Sequence, residues 1–212
     1  MIDSDNSSFE LPDVEQKQPV LILASASPRR LELLQQIGVP CIVNPVDIPE
    51  VPGSDEIPNQ FVERLAREKA QAGFQKAGVD SVVMGADTVV VSNGRIMGKP
   101  TGKDDAIGML TQLSGAKHQV MTAVAVVDRE RILSQVVTTE VSFRNLSRLQ
   151  CEQYWDSGEP KDKAGAYGIQ GLGAVFVVNI KGSYSAVVGL PLAETAELLE
   201  SFGIGVWRDL GL

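Results

Sequence analysis

The sequence contains one histidine and two cysteines in 212 residues, and this scarcity excludes several kinds of chemistry. His118 alone cannot supply the paired imidazoles of the common zinc sites, and no HExxH motif is present. Cys41 and Cys151 form neither a CxxC pair nor a disulfide framework, which is typical of proteins from a reducing compartment. We therefore expect both cysteines to act as small buried hydrophobic residues and His118 to be structural.

Long apolar runs and an excess of basic residues are also missing. The apolar runs are too short and too interrupted to span a bilayer, and the net charge of -8 disfavours general affinity for nucleic acid or anionic membranes. Residues 1–18 are acidic and polar, unlike a signal peptide. We expect them to form a disordered extension before a single domain over residues 19–212, in the cytoplasm.

The segments that are present predict an α/β protein with a mixed sheet, because strands and helices alternate first and antiparallel hairpins follow. Single strands are predicted over residues 20–24 and 41–46, and hairpins over residues 118–144 and 173–189. Residues 81–100 are predicted to form two strands separated by a polar interruption, followed by an Asn-Gly turn. Helices are predicted over residues 28–38, 59–74, 103–115, 148–158 and 191–203.

Two polar patches interrupt the first apolar segments. In Ser25-Ala26-Ser27-Pro28-Arg29-Arg30 a strand meets a helix whose first turn carries two arginines, where acidic residues are the usual choice. Free N–H groups and two guanidiniums at a helix start can form an anion site. The same pattern is also compatible with an exposed helix whose arginines are only solvated. Asp87 lies within a buried strand segment, where it is either a structural carboxylate or a metal ligand or general base.

Two further patches lie in turns and loops. Gly98-Lys99-Pro100 places a cation in a rigid turn, and residues 159–176 form a glycine-rich stretch that contains Gln170. This stretch matches neither a P-loop nor a Rossmann fingerprint. The amide of Gln170 offers the donor and acceptor that recognition of a uracil-like ring requires. Together the four patches favour phosphoryl chemistry on a nucleotide, which needs cations, a carboxylate and an amide for the base.

These motifs resemble those of the Maf (septum formation protein) family of nucleotide pyrophosphatases. The matching segments, in order, are LASASPRRLELL, LAREKA, GADTVV, GKP, LSGAKHQVMTAVAV, DKAGAYGIQGLGAVFV and VVGLPL. The resemblance implies an elongated, twisted mixed β-sheet with flanking helices and two lobes around a cleft, similar to inosine triphosphate pyrophosphatases. It also implies hydrolysis of a nucleoside triphosphate to monophosphate and pyrophosphate with Mg²⁺ or Mn²⁺, by a homodimer.

Three of the segments are similar to the dTTP/UTP-type subgroup rather than to the 7-methyl-GTP type, which has Trp before a single Arg, Gly-Ser-Asp-Gln, and Glu in the later loop. The resemblance implies that Asp87 is the catalytic base, acting on the water that attacks the α-phosphorus. It implies that Arg30, Thr88 and Gln170 set the specificity for dTTP, UTP and related modified pyrimidine triphosphates. The phosphate-binding residues it implies are Ser25, Ser27, Arg29, Lys69 and Lys99.

The chain departs from the family pattern after its second strand, where many members carry an acidic pair that is a metal-binding element. Here the segment is Val46-Asp47-Ile48-Pro49-Glu50, so the second acid is absent or shifted to Glu50. We expect Asp47 and Asp87 to be the metal ligands.

Two other functions are compatible with the same residues. The resemblance implies that the hydrolysis serves nucleotide house-cleaning linked to arrest of cell division, whereas the first other function is a non-catalytic regulator of septum formation that binds a nucleotide or a partner. Such a protein has no need of Asp87 in apolar surroundings. The second is an enzyme that removes modified nucleotides through the same pocket.

Overall fold

The structure is a computed structural model that describes residues 19–207, which form a mixed α/β fold around a seven-stranded sheet. The strands are Leu21–Leu23 (β1), Cys41–Val43 (β2), Val82–Ser92 (β3), Arg95–Met97 (β4), Lys117–Val127 (β5), Ile132–Phe143 (β6) and Val177–Lys181 (β7). The α-helices are Pro28–Gln36 (α1), Pro58–Ala77 (α2), Lys103–Leu113 (α3), Arg148–Asp156 (α4), Tyr184–Val188 (α5) and Leu192–Ser201 (α6). Short 3-10 helices at Glu159–Asp162, Ala164–Ala166 and Leu172–Phe176 lie between α4 and β7.

The strand order is β2-β1-β3-β5-β6-β7, with β4 paired to β3 beside this path. β1 pairs in parallel with β2 and β3, whereas β3, β5, β6 and β7 pair antiparallel. The predicted α/β class with a mixed sheet is confirmed. No helix in the described part of the chain is long and apolar enough to cross a membrane.

The residues of β3 alternate between two hydrophobic clusters, as side chains on successive strand residues must. Met84 and Val90 belong to the larger cluster, which also includes residues of α3, α4 and α6. Val83 and Val89 belong to the second cluster, to which α2 contributes its apolar face. Both faces of β3 are therefore covered by other elements along most of the strand.

Two predictions about strands are wrong. β3 is one uninterrupted strand, because Asp87 and Thr88 keep their backbone pairing with Ala123 and Thr122 of β5. The hairpin predicted over residues 173–189 does not form, since β7 ends at Lys181 and the next segment is helix α5. The hydroxyl of Ser183 caps that helix by accepting a hydrogen bond from the N–H of Ala186 (3.2 Å).

The other long hairpin, β5–β6, is confirmed, and its turn is closed by the Asp128 carboxylate, which accepts from the N–H groups of Glu130 and Arg131 (both 2.8 Å). Cys151 is buried and Cys41 half-buried, and both are free thiols. The predicted extension over residues 1–18 and the last five residues of the predicted domain lie outside the described residues.

Candidate active site

The described structure contains a cleft of about 920 Å³, at the upper end of the size range of small-molecule sites. Its walls come from the β1–α1 connection, the loop after β2, helix α2, the middle of β3 and the glycine-rich segment after α4. Predicted residues from the four polar patches and from α2 line it together: Ser25, Ser27, Arg29, Arg30, Lys69, Asp87, Thr88, Lys99 and Gln170.

One wall holds a buried ion-pair network. Lys69 on α2 donates to the carboxylates of Asp87 (2.7 Å) and Glu50 (2.5 Å), so that a single ammonium joins two acids. Lys69 and Asp87 are only 8% and 7% exposed, whereas Glu50 lies in the loop after β2 and is open to solvent. Burial of a charged pair is costly, so this arrangement indicates a function rather than a contribution to stability.

The environments of these two carboxylates push their pKa values in opposite directions. Burial raises the pKa of Asp87 above its ordinary value, although the charges of Lys69 and Arg30 act against this. For Glu50, burial is outweighed by the hydrogen bond and charge of Lys69 and the charges of Lys99 and Arg30, so its pKa is lowered. A pair separated in this way can divide its roles, with Asp87 the stronger base and Glu50 a fixed negative charge.

A glycine allows α2 to approach β3 closely enough for the ion pair. A Cβ atom on Gly85 would overlap the backbone oxygen of Ala66 and lie 2.5 Å from the backbone nitrogen of Ala70. The backbone of α2 therefore rests on β3 two residues before Asp87, and Lys69 reaches the strand from the same turn of α2.

Arg30 is held by the protein itself. Its Nε donates to the buried carbonyl of Gly189 (2.9 Å), Nη1 donates to Ser25 Oγ (2.9 Å) and Nη2 donates to Thr88 Oγ1 (3.3 Å). Thr88 also shares a hydrogen bond with Thr122 (3.0 Å), which brings β5 into the network. Burial lowers the pKa of Arg30, partly offset by the nearby Asp87. The guanidinium thus joins α1, β3 and the segment after α5.

The remaining cations face the open part of the cleft. Arg29 is half-buried and Lys99 is exposed, and neither forms an ion pair with another residue between 19 and 207. Helix α1 begins at Pro28, as predicted, and no side chain caps its first N–H groups. Ser27 instead donates its own N–H to Ser25 Oγ (3.3 Å). The uncapped helix start beside free cations is suited to bind a polyanion.

The opposite wall carries Gln170, whose exposed side chain has no hydrogen bond to the described residues. Tyr167, three residues earlier, shares a hydrogen bond of 2.8 Å with Nε2 of His118. His118 is 3% exposed and packs edge-on against Phe143, so its environment is that of a structural residue.

Asp47 is the predicted residue that the structure does not bring to the cleft. Its side chain is exposed and does not line the cavity, whereas Glu50, three residues later, does. No group of three or more His, Cys, Asp or Glu side chains within residues 19–207 is arranged to hold a metal. Glu50 and Asp87 nevertheless fit Mg²⁺, which typically takes one or two protein carboxylates together with substrate phosphates.

Sequence reasoning missed Glu159 and Tyr154, which support the wall that carries Gln170. An acid a few residues before a run of glycines was the available signal, because close backbone turns need an acceptor for their N–H groups.

The family model described as Maf-like protein matches residues 20–202. A protein of Saccharophagus degradans named dTTP/UTP pyrophosphatase is 52% identical over 90% of this chain and 92% of its own length. One of the same name from Vibrio parahaemolyticus is 56% identical over 86% and 96%. A solved nucleoside-triphosphatase / dITP/XTP pyrophosphatase from Mycobacterium abscessus covers 85% of this chain and 93% of its own, with a TM-score of 0.42 and 16% identity.

Proposed function

Because this chain belongs to the Maf-like protein family, we propose that it hydrolyses dTTP and UTP to the monophosphate and pyrophosphate. The observation that carries the proposal is the buried Asp87, joined through Lys69 to Glu50 in a cleft that also holds free cations. Relatives at 52% and 56% identity bear the name of this activity over most of the chain. Modified pyrimidine triphosphates are further substrates of the same pocket.

In the proposed reaction, Asp87 orients or deprotonates the water that attacks the α-phosphorus. The hydrogen bond from Lys69 fixes the orientation of its carboxylate. Arg29 and Lys99 bind the triphosphate and stabilise the charge of the departing pyrophosphate. Arg30 and Thr88 shape the pocket through their mutual contact, and Gln170 hydrogen-bonds the pyrimidine edge.

We propose Glu50 and Asp87 as the protein ligands of a divalent cation, in place of the predicted pair Asp47 and Asp87. When bound, Mg²⁺ or Mn²⁺ would act as a Lewis acid toward the phosphate oxygens. Glu50→Gln should raise the Mn²⁺ concentration needed for half-maximal activity and weaken direct Mn²⁺ binding measured by calorimetry, by about tenfold or more. Asp47→Asn is the matched control and should leave both quantities unchanged; the reverse result would restore Asp47 as the ligand.

The primary test is a panel of common and modified nucleoside triphosphates, incubated with the protein and Mg²⁺ or Mn²⁺, with products separated by chromatography. We expect monophosphate and pyrophosphate from UTP and dTTP, and little turnover of GTP or 7-methyl-GTP. Asp87→Asn should lower kcat by about 10²- to 10⁴-fold, because a general base is removed. Asp80→Asn, at an exposed residue that does not line the cleft, should retain the wild-type kcat.

The compartment and the oligomeric state of the protein are further parts of the proposal. We place the reaction in the cytoplasm, which the two unpaired thiols support. A homodimer is proposed from the family resemblance, and sedimentation equilibrium would give its mass. If the wild-type protein bound nucleotides without turnover, a binding role, including one in septum formation, would replace the enzymatic one.

A further inference from the structure

The loop formed by residues 168–173 carries Gln170 but belongs to no strand, so its position depends on side chains. Gly168 donates its N–H to the hydroxyl of Tyr154 (3.0 Å). Leu172 and Gly173 donate theirs to the two carboxylate oxygens of Glu159, at 2.7 and 3.1 Å. Three backbone N–H groups of one short loop thus donate to the side chains of only two residues, Tyr154 and Glu159.

The two side chains are joined to each other. The Tyr154 hydroxyl donates to Glu159 Oε1 (2.7 Å) while it accepts from Gly168, so the acceptors form one connected network. Tyr154 is 5% exposed on α4 and packs edge-on against Phe176, with ring centroids 4.9 Å apart. The network is therefore anchored to a buried aromatic residue of a regular helix.

The glycines of this loop are explained by its closeness to the same pair. A Cβ atom on Gly171 would overlap the carboxylate of Glu159, and one on Gly173 would lie 2.6 Å from the Tyr154 hydroxyl. Both glycines have φ angles outside the left-handed region, so it is space and not backbone conformation that requires them. The loop backbone rests directly on Glu159 and Tyr154.

We propose that Glu159 and Tyr154 are positioning residues that hold the 168–173 loop so that Gln170 discriminates uracil and thymine from cytosine and purines. This inference rests on the proposed function and deepens it. The side chain of Gln170 forms no hydrogen bond to the described residues, so the backbone of the loop is what places it at the cleft. Discrimination by hydrogen bonds requires positioning within about 0.5 Å.

The reaction centre is held independently of this pair. Asp87 lies on β3, which pairs with β5 along nine residues, and Lys69 reaches it from α2. Loosening the loop should therefore impair nucleobase recognition while the hydrolytic step continues. A general folding defect would lower both.

The kinetic test compares Tyr154→Phe and Glu159→Gln with matched controls that make the same substitutions elsewhere, Tyr184→Phe and Glu152→Gln. Tyr154→Phe retains the packing of the ring and removes only the hydroxyl. We expect the KM for UTP to rise and the UTP-to-CTP ratio of kcat/KM to fall, each by about tenfold, because hydrogen bonds in the network include a charged acceptor. The kcat for UTP should stay within about threefold of wild type, and both controls should behave as wild type.

Hydrogen–deuterium exchange in the absence of nucleotide tests separately whether Glu159 and Tyr154 hold the 168–173 loop. The amides of Gly168, Leu172 and Gly173 should be protected in wild type and exchange about tenfold faster or more in Glu159→Gln. Unchanged exchange, or faster exchange with an unchanged UTP-to-CTP ratio, would overturn the inference. Calorimetry with the non-hydrolysable analogues α,β-methylene UTP and CTP measures the UTP-to-CTP preference without turnover. A wild-type protein that binds the UTP analogue selectively but does not hydrolyse UTP would therefore refute the proposed function and not this inference.

Discussion

At the scale of single residues, Lys69 is the centre of the site because it is shared by two acids of different character. Asp87 is buried and has a raised pKa, whereas Glu50 is open to solvent and has a lowered one. One cation therefore holds a base and a fixed charge side by side in the same wall of the cleft. The family resemblance implies that Lys69 binds phosphate, and nothing in the local pattern of its helix indicates that it joins two acids.

Arg30 illustrates a residue whose role changes between sequence and structure. Adjacent arginines at a helix start suggest two phosphate ligands, but the guanidinium of Arg30 is satisfied by Gly189, Ser25 and Thr88. Nothing in the local pattern distinguishes it from Arg29, because its partners lie up to 159 residues away. Long-range hydrogen bonds of this kind are not encoded in sequence spacing.

Arg30→Lys should destabilise the protein, because a lysine cannot reproduce the three-way fork and leaves the buried Gly189 carbonyl without its donor. We expect the free energy of unfolding in urea to fall by about 1–3 kcal/mol. Arg29→Lys is the matched control and should leave that free energy unchanged. Equal stability of the two variants would mean that Arg30 is free to bind phosphate.

At the scale of elements, the approach of α2 to β3 determines whether the ion pair can form. Periodicity predicts both elements, and the length of α2 and the β5–β6 hairpin follow the sequence closely. The interruption predicted within β3 is wrong since polar side chains do not break a ladder made by backbone groups. The Ser183 cap that turns residues 184–188 into a helix competes with a β-rich local composition, and the cap prevails.

Gly85→Ala should separate α2 from β3, because its Cβ would meet backbone atoms that cannot rotate away. We expect a loss of about 1–3 kcal/mol in the free energy of unfolding and a clear loss of kcat, as Lys69 moves from Asp87. Gly108→Ala, in the interior of α3 with open space around it, is the control and should stabilise by about 0.5–1 kcal/mol. Similar effects for the two variants would contradict the close packing of α2.

At the scale of the whole molecule, the cleft joins two walls of different construction. One is built from β1, β3, α1 and α2, the other from a glycine-rich loop supported by α4 and β5. The sequence predicts the sheet, most helices and many residues of the cleft, since these follow from periodicity and motifs, but it places Asp47 there wrongly. It does not predict which side chains support the second wall, because Tyr154, Glu159 and His118 become neighbours of the loop only on folding.

The stability of the folded chain should fall in mild acid because of His118. Burial lowers its pKa to about 4, so the unfolded state, with an ordinary value near 6.5, binds the proton first as the pH falls. A protonated ring would also carry an N–H at Nδ1, an atom without a partner among residues 19–207. This stability is complete above about pH 6.5 and is lost progressively toward pH 4.

Between pH 7.5 and pH 5 we expect this residue to reduce the free energy of unfolding by about 2 kcal/mol. Urea denaturation at the two pH values measures the difference. His118→Gln can keep the hydrogen bond to Tyr167 without titrating, so the difference between the two pH values should shrink by that amount. An unchanged difference would show that other groups dominate the acid sensitivity.

The two walls of the cleft are anchored unequally, and this affects how the substrate preference can change during evolution. The wall that carries Gln170 depends on the side chains of Tyr154 and Glu159 and on a few glycines. The reaction centre, in contrast, is fixed by a long paired strand and a packed helix. Exchange of the loop together with its anchors would alter the contribution of Gln170 to the nucleobase preference while the hydrolytic machinery is inherited unchanged. A fold with this division can diversify its substrates by small, local substitutions.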